Sequence, residues 1–169
     1  MCGEAFPVQA RDIKLSTWNL DWLSLKQTGD PALPDDVHGR QPNDFIRLHH
    51  YATHLNADII AFQEVDGPEP AARVFDLQTY QIILSQAPVI QRVGLAVKRP
   101  LNVTVNEELS ALDVTGPDAS HHLRTGLDVT VSDGTSHLRL LVVHLKTGCW
   151  DQPLTQRKHS CPTLYQQFQ

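Results

Sequence analysis

Apolar residues fall into short runs along this chain, and three of the runs end on a polar group instead of a turn former. IKLSTWNLDWL (13–23) delivers Asn19 and Asp21, DIIAFQEV (58–65) delivers Glu64, and LRLLVVHLK (138–146) delivers His144. Runs this rich in Ile, Leu, Val, Phe and Trp predict strands, the first two at 12–19 and 58–63. Between them, residues 24–42 are a loop rich in Gly, Pro and Asp. A helix follows at about 44–55, capped by Asn43 or Asp44, with Phe45, Leu48, Ala52 and Leu55 at helical spacing. Gly67, Pro68 and Pro70 open a short helix near 69–77, since proline is tolerated in a first turn. Four further strands are predicted at 80–84, 92–98, 102–109 and 123–131. In the last, Leu127, Val129 and Val131 share one face, with Asp128 and Thr130 on the other. SDGTS (132–136) is a hairpin turn built on Asp-Gly that returns the chain into 137–145. A helix over 156–168 is interrupted at Pro162.

This order is β, α, β, α and then a run of antiparallel-type strands, which predicts an α+β fold with two packed sheets. No repeat, low-complexity tract or linker divides the chain. One domain over 12–169 with a tail at 1–11 suits the 169 residues, since ~150 residues per domain is usual. The 41% apolar content is enough for a buried core. The formal charge of −5 argues against broad electrostatic adhesion to nucleic acid, which relies on Lys and Arg against phosphates. Positive charge gathered locally would still serve a nuclease. No transmembrane segment is expected, because no run approaches the ~18 consecutive apolar residues of a span. MCGEAFPVQA contains no apolar core of a secretory signal.

The polar strand ends carry the candidate chemistry. Glu, Asp and Asn supply the oxygen ligands that a hard cation such as Mg²⁺ prefers. Each residue also has a plainer explanation: Glu64 emerging into solvent, Asn19 ending a strand, Asp21 as a loop carboxylate, His144 as a hydrogen-bonded structural residue, Arg124 as a surface charge. Their convergence at one sheet mouth would make a metal-dependent site. His50 and His54 lie one turn apart on the first helix, and His121 and His122 are adjacent in a loop. Neither pair comes with the HExxH or Cys/His spacing of a zinc site. No GxSxG, P-loop or dinucleotide fingerprint is present.

WNLDWL, FQEV and VVHLK, in that order and with Arg124 between the last two, resemble the endonuclease/exonuclease/phosphatase superfamily of deoxyribonuclease-I-like and exonuclease-III-like enzymes. The likeness runs from about Ile13 to Gln167 and is nearest to bacterial members with a Gly-Cys after the His-Leu pair, as in HLKTGC. It implies a four-layer α/β/β/α sandwich, of which this chain supplies one half and part of the other. It implies Mg²⁺ or Mn²⁺ on Glu64, with Asn19 beside the metal and phosphate and Asp21 as a secondary metal contact. His144 would contact the scissile phosphate, and Arg124 would lie near that phosphate or the histidine. The substrate implied is nucleic acid or another phosphodiester, with a nuclease as the leading activity. The Gly-Cys likeness tilts the compartment towards the periplasm or secretion.

Two motifs of that pattern, Gly-Asp-x-Asn and a terminal Asp-His, do not occur in these 169 residues. The expectation is therefore an N-terminal portion, incomplete at its C-terminus and weakly active. The alternative is a non-catalytic binding domain that keeps the fold with a degenerate metal and phosphate pocket. Cys149 and Cys161 flank a polar loop. They are either free thiols or a bridge worth roughly 3 kcal/mol in the chain-entropy model.

Overall fold

The apolar runs form strands in two stacked sheets, and the computed structural model describes residues 12–147 and 154–169. The elements are β1 (Leu15–Leu23), α1 (Pro42–Leu55), β2 (Ile59–Val65), α2 (Pro68–Val74), β3 (Tyr80–Leu84), β4 (Arg92–Lys98), β5 (Asn102–Val105), β6 (Leu127–Ser132), β7 (His137–Val142) and α3 (Leu154–Gln167). The first sheet has the order β1-β2-β4-β3 and the second β5-β6-β7. Among the described residues only β1 and β2 pair in parallel, and their connection runs through α1, as a parallel pair requires.

Alternation along β2 decides the layering. Ile60 and Phe62 face α1 and α2, where they are buried with Phe45, Ala52, Val74 and Phe75. Phe62 stacks on Phe75 at 5.2 Å between ring centroids, and Tyr80 meets Phe75 edge-on at 6.2 Å. Ile59 faces the other way. With Val93, Leu95 and Val97 of β4 it packs on Leu127, Val129, Val131 and Val142 of the second sheet. Each such fully buried aliphatic side chain contributes roughly 1.5–3 kcal/mol. At Gly94 a Cβ would lie 2.5 Å from the Phe62 ring and 2.6 Å from the Ile83 carbonyl oxygen, so its bare backbone leaves room for the aromatic cluster. The result is the α+β sandwich that the element order implied.

Strands 80–84 and 92–98 lie where expected, and other boundaries differ for identifiable reasons. β1 continues past Asn19 to Leu23 through an irregularity. The cap of α1 is Gln41, not Asn43 or Asp44; Pro42 occupies the first turn, and Asp44 accepts the Gln41 N–H at 2.9 Å. β5 stops at Val105 because the Asn106 amide turns onto Asp128 and Thr130. β6 starts only at Leu127, since Leu123 N–H is taken by Asp113 and the Thr125 hydroxyl by Glu108. Asp128, expected on the polar face, is only 1% exposed, covered by Arg139 and Asn106. Pro162 lies inside α3 without interrupting it. β1 and β7 are edge strands carrying exposed Leu15, Leu138 and Leu141. Cys161 is disulfide-bonded; Cys149 and the tail 1–11 lie outside the described residues. No helix among the described residues is long and apolar enough to cross a membrane.

Candidate functional site

Two backbone irregularities aim the polar strand ends at one point. β1 and β2 run in register through Asn19 and Gln63, then both slip before pairing again at Leu23 and Val65. Within the slip, Asp21 (φ 48°), Trp22 (φ 54°) and Glu64 (φ 63°) all adopt left-handed backbone. Such conformations are uncommon outside glycine, and each costs on the order of 1–3 kcal/mol. Arg40 clamps the β1 segment by donating to the Leu20 and Asp21 carbonyls at 3.1 and 2.7 Å. Strain of this kind persists where surrounding contacts over-determine it, and here it turns Trp22 N–H and the Glu64 carboxylate towards each other.

Glu64 is the centre of the site. Its Oε1 accepts from Asn19 Nδ2 at 2.8 Å, and its Oε2 accepts from Gln91 Nε2 at 2.8 Å and Trp22 N at 3.2 Å. Three N–H donors hold the carboxylate in place, two on Oε2 and one on Oε1, which leaves a lone pair on Oε1. The Asn19 orientation is set by its own oxygen, which accepts Asp21 N–H at 2.8 Å. Reversing the amide would set its NH₂ against that N–H and its oxygen against the carboxylate. Asn19 therefore braces Glu64 with its nitrogen.

Arg124 links this cluster to the end of β7. Its Nη1 donates to Gln91 Oε1 at 3.0 Å and its Nε to the His144 carbonyl at 2.6 Å, with Nη2 3.5 Å from the Leu145 carbonyl. Burial lowers its pKa, partly offset by the charge of Glu64; guanidinium nevertheless stays charged. Among the described residues, one N–H on each terminal nitrogen has no partner and is placed to serve a ligand. The His144 ring is 16% exposed, with Nε2 3.6 Å from Glu64 Oε1. Burial first, and the Arg124 charge second, push its pKa below the ordinary 6.5 against the pull of Glu64. The shift favours the neutral imidazole. Its buried Nδ1 finds no hydrogen-bond partner among the described residues.

The structure brings together Asn19, Glu64, Arg124 and His144. The Asp21 carboxylate does not join them: it is 84% exposed, with Arg40 at 3.4 Å. Sequence reasoning missed Gln91, which bridges Glu64 and Arg124. The signal was topological. β4 runs antiparallel to β2 and pairs Arg92 with Val65, so Gln91 lies just beyond the end of that pairing, and its side chain reaches back to Glu64. His122, set aside in the sequence as one of two adjacent loop histidines, has its Nδ1 2.8 Å from Asp113 Oδ2, a pairing the sequence did not reveal. Burial would raise the Asp113 pKa, but hydrogen bonds from Thr115, Leu123 and His122 outweigh it and hold the carboxyl low. Among the described residues, no group of three or more His, Cys, Asp or Glu is placed to hold a metal.

No family model matches this chain, and no curated protein does. Truncated TDP2 from Caenorhabditis elegans superposes with a TM-score of 0.54 at 20% identity, over 80% of this chain and 47% of that one. The chain has the fold of TDP2. Selenomethionine TDP2 from the same organism matches at a TM-score of 0.48 and 21% identity, over 64% of this chain and 32% of that one. The chain thus spans about half the length of truncated TDP2, and at this identity TDP2 informs the architecture alone.

Proposed function

We propose that this chain carries the metal- and phosphate-binding half of a Mg²⁺- or Mn²⁺-dependent phosphoesterase, with a nuclease as the leading activity. The observation that supports it most is the Glu64 carboxylate, gripped by Asn19, Trp22 N–H and Gln91 with Arg124 and His144 alongside. A single carboxylate with a free lone pair on Oε1 suits Mg²⁺, which keeps several waters and shares its shell with substrate phosphate. It does not suit zinc, which takes three or four protein ligands. When bound, such a cation supplies Lewis-acid polarisation of the phosphoryl oxygen and charge stabilisation at the leaving oxygen.

The chain's own residues do the rest. Arg124 offers its two uncommitted N–H groups to phosphate oxygens, its plane fixed by the His144 carbonyl and Gln91. Neutral His144 serves as a hydrogen-bond donor, and Asn19 keeps Glu64 from swinging away. Asp21 stands as a surface carboxylate that reaches a cation only through water. The downstream Asp-His that the resemblance assigns as general base is absent from these 169 residues. Losing a general base typically costs 10²–10⁴-fold, so slow turnover is expected from this chain.

The test is hydrolysis of bis(p-nitrophenyl) phosphate by the purified chain in 5–10 mM Mg²⁺ (roughly the range that saturates weak Mg²⁺ sites holding one carboxylate). Slow release that is abolished by EDTA and by Glu64→Gln is expected. Turnover indifferent to both would contradict the assignment. Phosphate binding without any turnover would favour the non-catalytic domain.

A further inference from the structure

Next to Glu64 lies a cavity of about 520 Å³, within the size range of small-molecule sites, that the phosphate chemistry leaves unused. It is framed by the loop after β1, the β3–β4 turn and the segment before β6. Its apolar lining is formed by Leu33, Pro34, Pro88, Val89 and Trp22. Its polar lining is His121, His122, Gln91 and Arg124, the last two reaching to Glu64 and the end of β7. We propose that this cavity is the subsite for a nucleobase attached to the phosphate held at Glu64, which rests on the phosphoesterase reading of that site.

Three observations point the same way. First, the cavity and the carboxylate share residues: Trp22 and Gln91 line the one and donate to the other. A group in the cavity therefore sits within one short linkage of a phosphate at Arg124. Second, the strained left-handed backbone at Asp21 and Trp22 is held by Arg40; Trp22 lines the cavity while its backbone N–H reaches Glu64. Third, His122 is not a loose surface residue. Asp113 holds its Nδ1, and Asp113 is itself fixed by Leu123 N–H, Thr115 N–H and the Thr115 hydroxyl. This fixes the ring and leaves Nε2 for a ligand.

A lining that combines apolar residues with hydrogen-bonding groups fits a flat ring with apolar faces and a polar rim. An alkyl chain would leave the His122–Asp113 pair unused. An inositol ring, polar on its whole circumference, would set hydroxyls against prolines. A nucleobase stacks on Trp22 and the proline wall, and its edge accepts or donates at His122.

The experiment is calorimetric titration of the purified chain in Mg²⁺ with AMP, ribose 5-phosphate and adenosine. AMP should bind about tenfold tighter than ribose 5-phosphate, the order expected for one stacked base. Val89→Trp, which fills the cavity, should erase that preference without weakening ribose 5-phosphate; His122→Ala, milder for folding, should reduce it several-fold. Equal binding of AMP and ribose 5-phosphate overturns the subsite while leaving the phosphate site standing. Adenosine binding as tightly as AMP supports the subsite and removes the phosphate site. Failure of all three ligands to bind overturns the subsite, and the Mn²⁺ titration of Glu64 then judges the metal site separately.

Discussion

Gln91→Ala removes the residue that ties the carboxylate to the guanidinium. In the wild type its amide donates to Glu64 Oε2 at 2.8 Å and accepts from Arg124 Nη1 at 3.0 Å, so both bonds involve a charged partner. Hydrogen bonds to charged groups contribute roughly 1.5–3 kcal/mol each. The adjoining cavity admits water that replaces part of the loss, leaving a net destabilisation of about 2 kcal/mol. For a domain of this size that corresponds to a fall in Tm of roughly 4–8 °C. Urea unfolding followed by circular dichroism reads it directly, as a lower midpoint at unchanged slope. Gln91→Glu should be worse, because it sets a second carboxylate against Glu64. If Gln91→Ala stays within ~0.5 kcal/mol of wild type, as a neutral surface change does, the bridge holds nothing in place and the site geometry derived from it is wrong.

Further outcomes follow from other contacts. Gly94→Ala drives a methyl group into the Phe62 ring and the Ile83 carbonyl, so a loss of about 1–3 kcal/mol is expected in the same unfolding assay. The Asp133 carboxyl, held by Ser136 and Thr135 N–H groups and the Thr135 hydroxyl in the hairpin, is lowered from 3.8 to about 2. Its native state releases the proton more readily than the unfolded chain, so its stabilisation is present above about 3.8 and is lost as pH falls through 2. A carboxyl-detected NMR titration of Asp133 with a midpoint near 4 would contradict this. With Cys161 bridged and three cysteines in the chain, thiol titration of the denatured, unreduced monomer should find one free thiol, and three would remove the bridge.

The chain announced its strands where burial on both faces made continuous apolar runs, as in Val93–Val97. It announced Glu64 and His144 because each ends such a run. Asn19, Glu64, Arg124 and His144 gather around one point, whereas the Asp21 carboxylate turns away to Arg40. What stayed hidden depended on backbone twist and on pairing. Nothing in NLDW marks Asp21 and Trp22 as left-handed, since no glycine is there, and that twist is what turns the Asp21 carboxylate out to Arg40. Gln91 and Glu64 are distant in the chain and meet only because β4 reverses beside β2. The Asp113–His122 pair joins two points of one irregular loop, where no periodicity exists to be read.

The most direct test of the central claim is Mn²⁺ binding to the purified 169-residue chain, followed by electron paramagnetic resonance, for wild type and Glu64→Gln. One bound Mn²⁺ per chain, displaced by Mg²⁺ and lost in Glu64→Gln while that variant melts as wild type does, is the predicted result. Equal Mn²⁺ binding by the two proteins, or none by either, would contradict a metal site at Glu64.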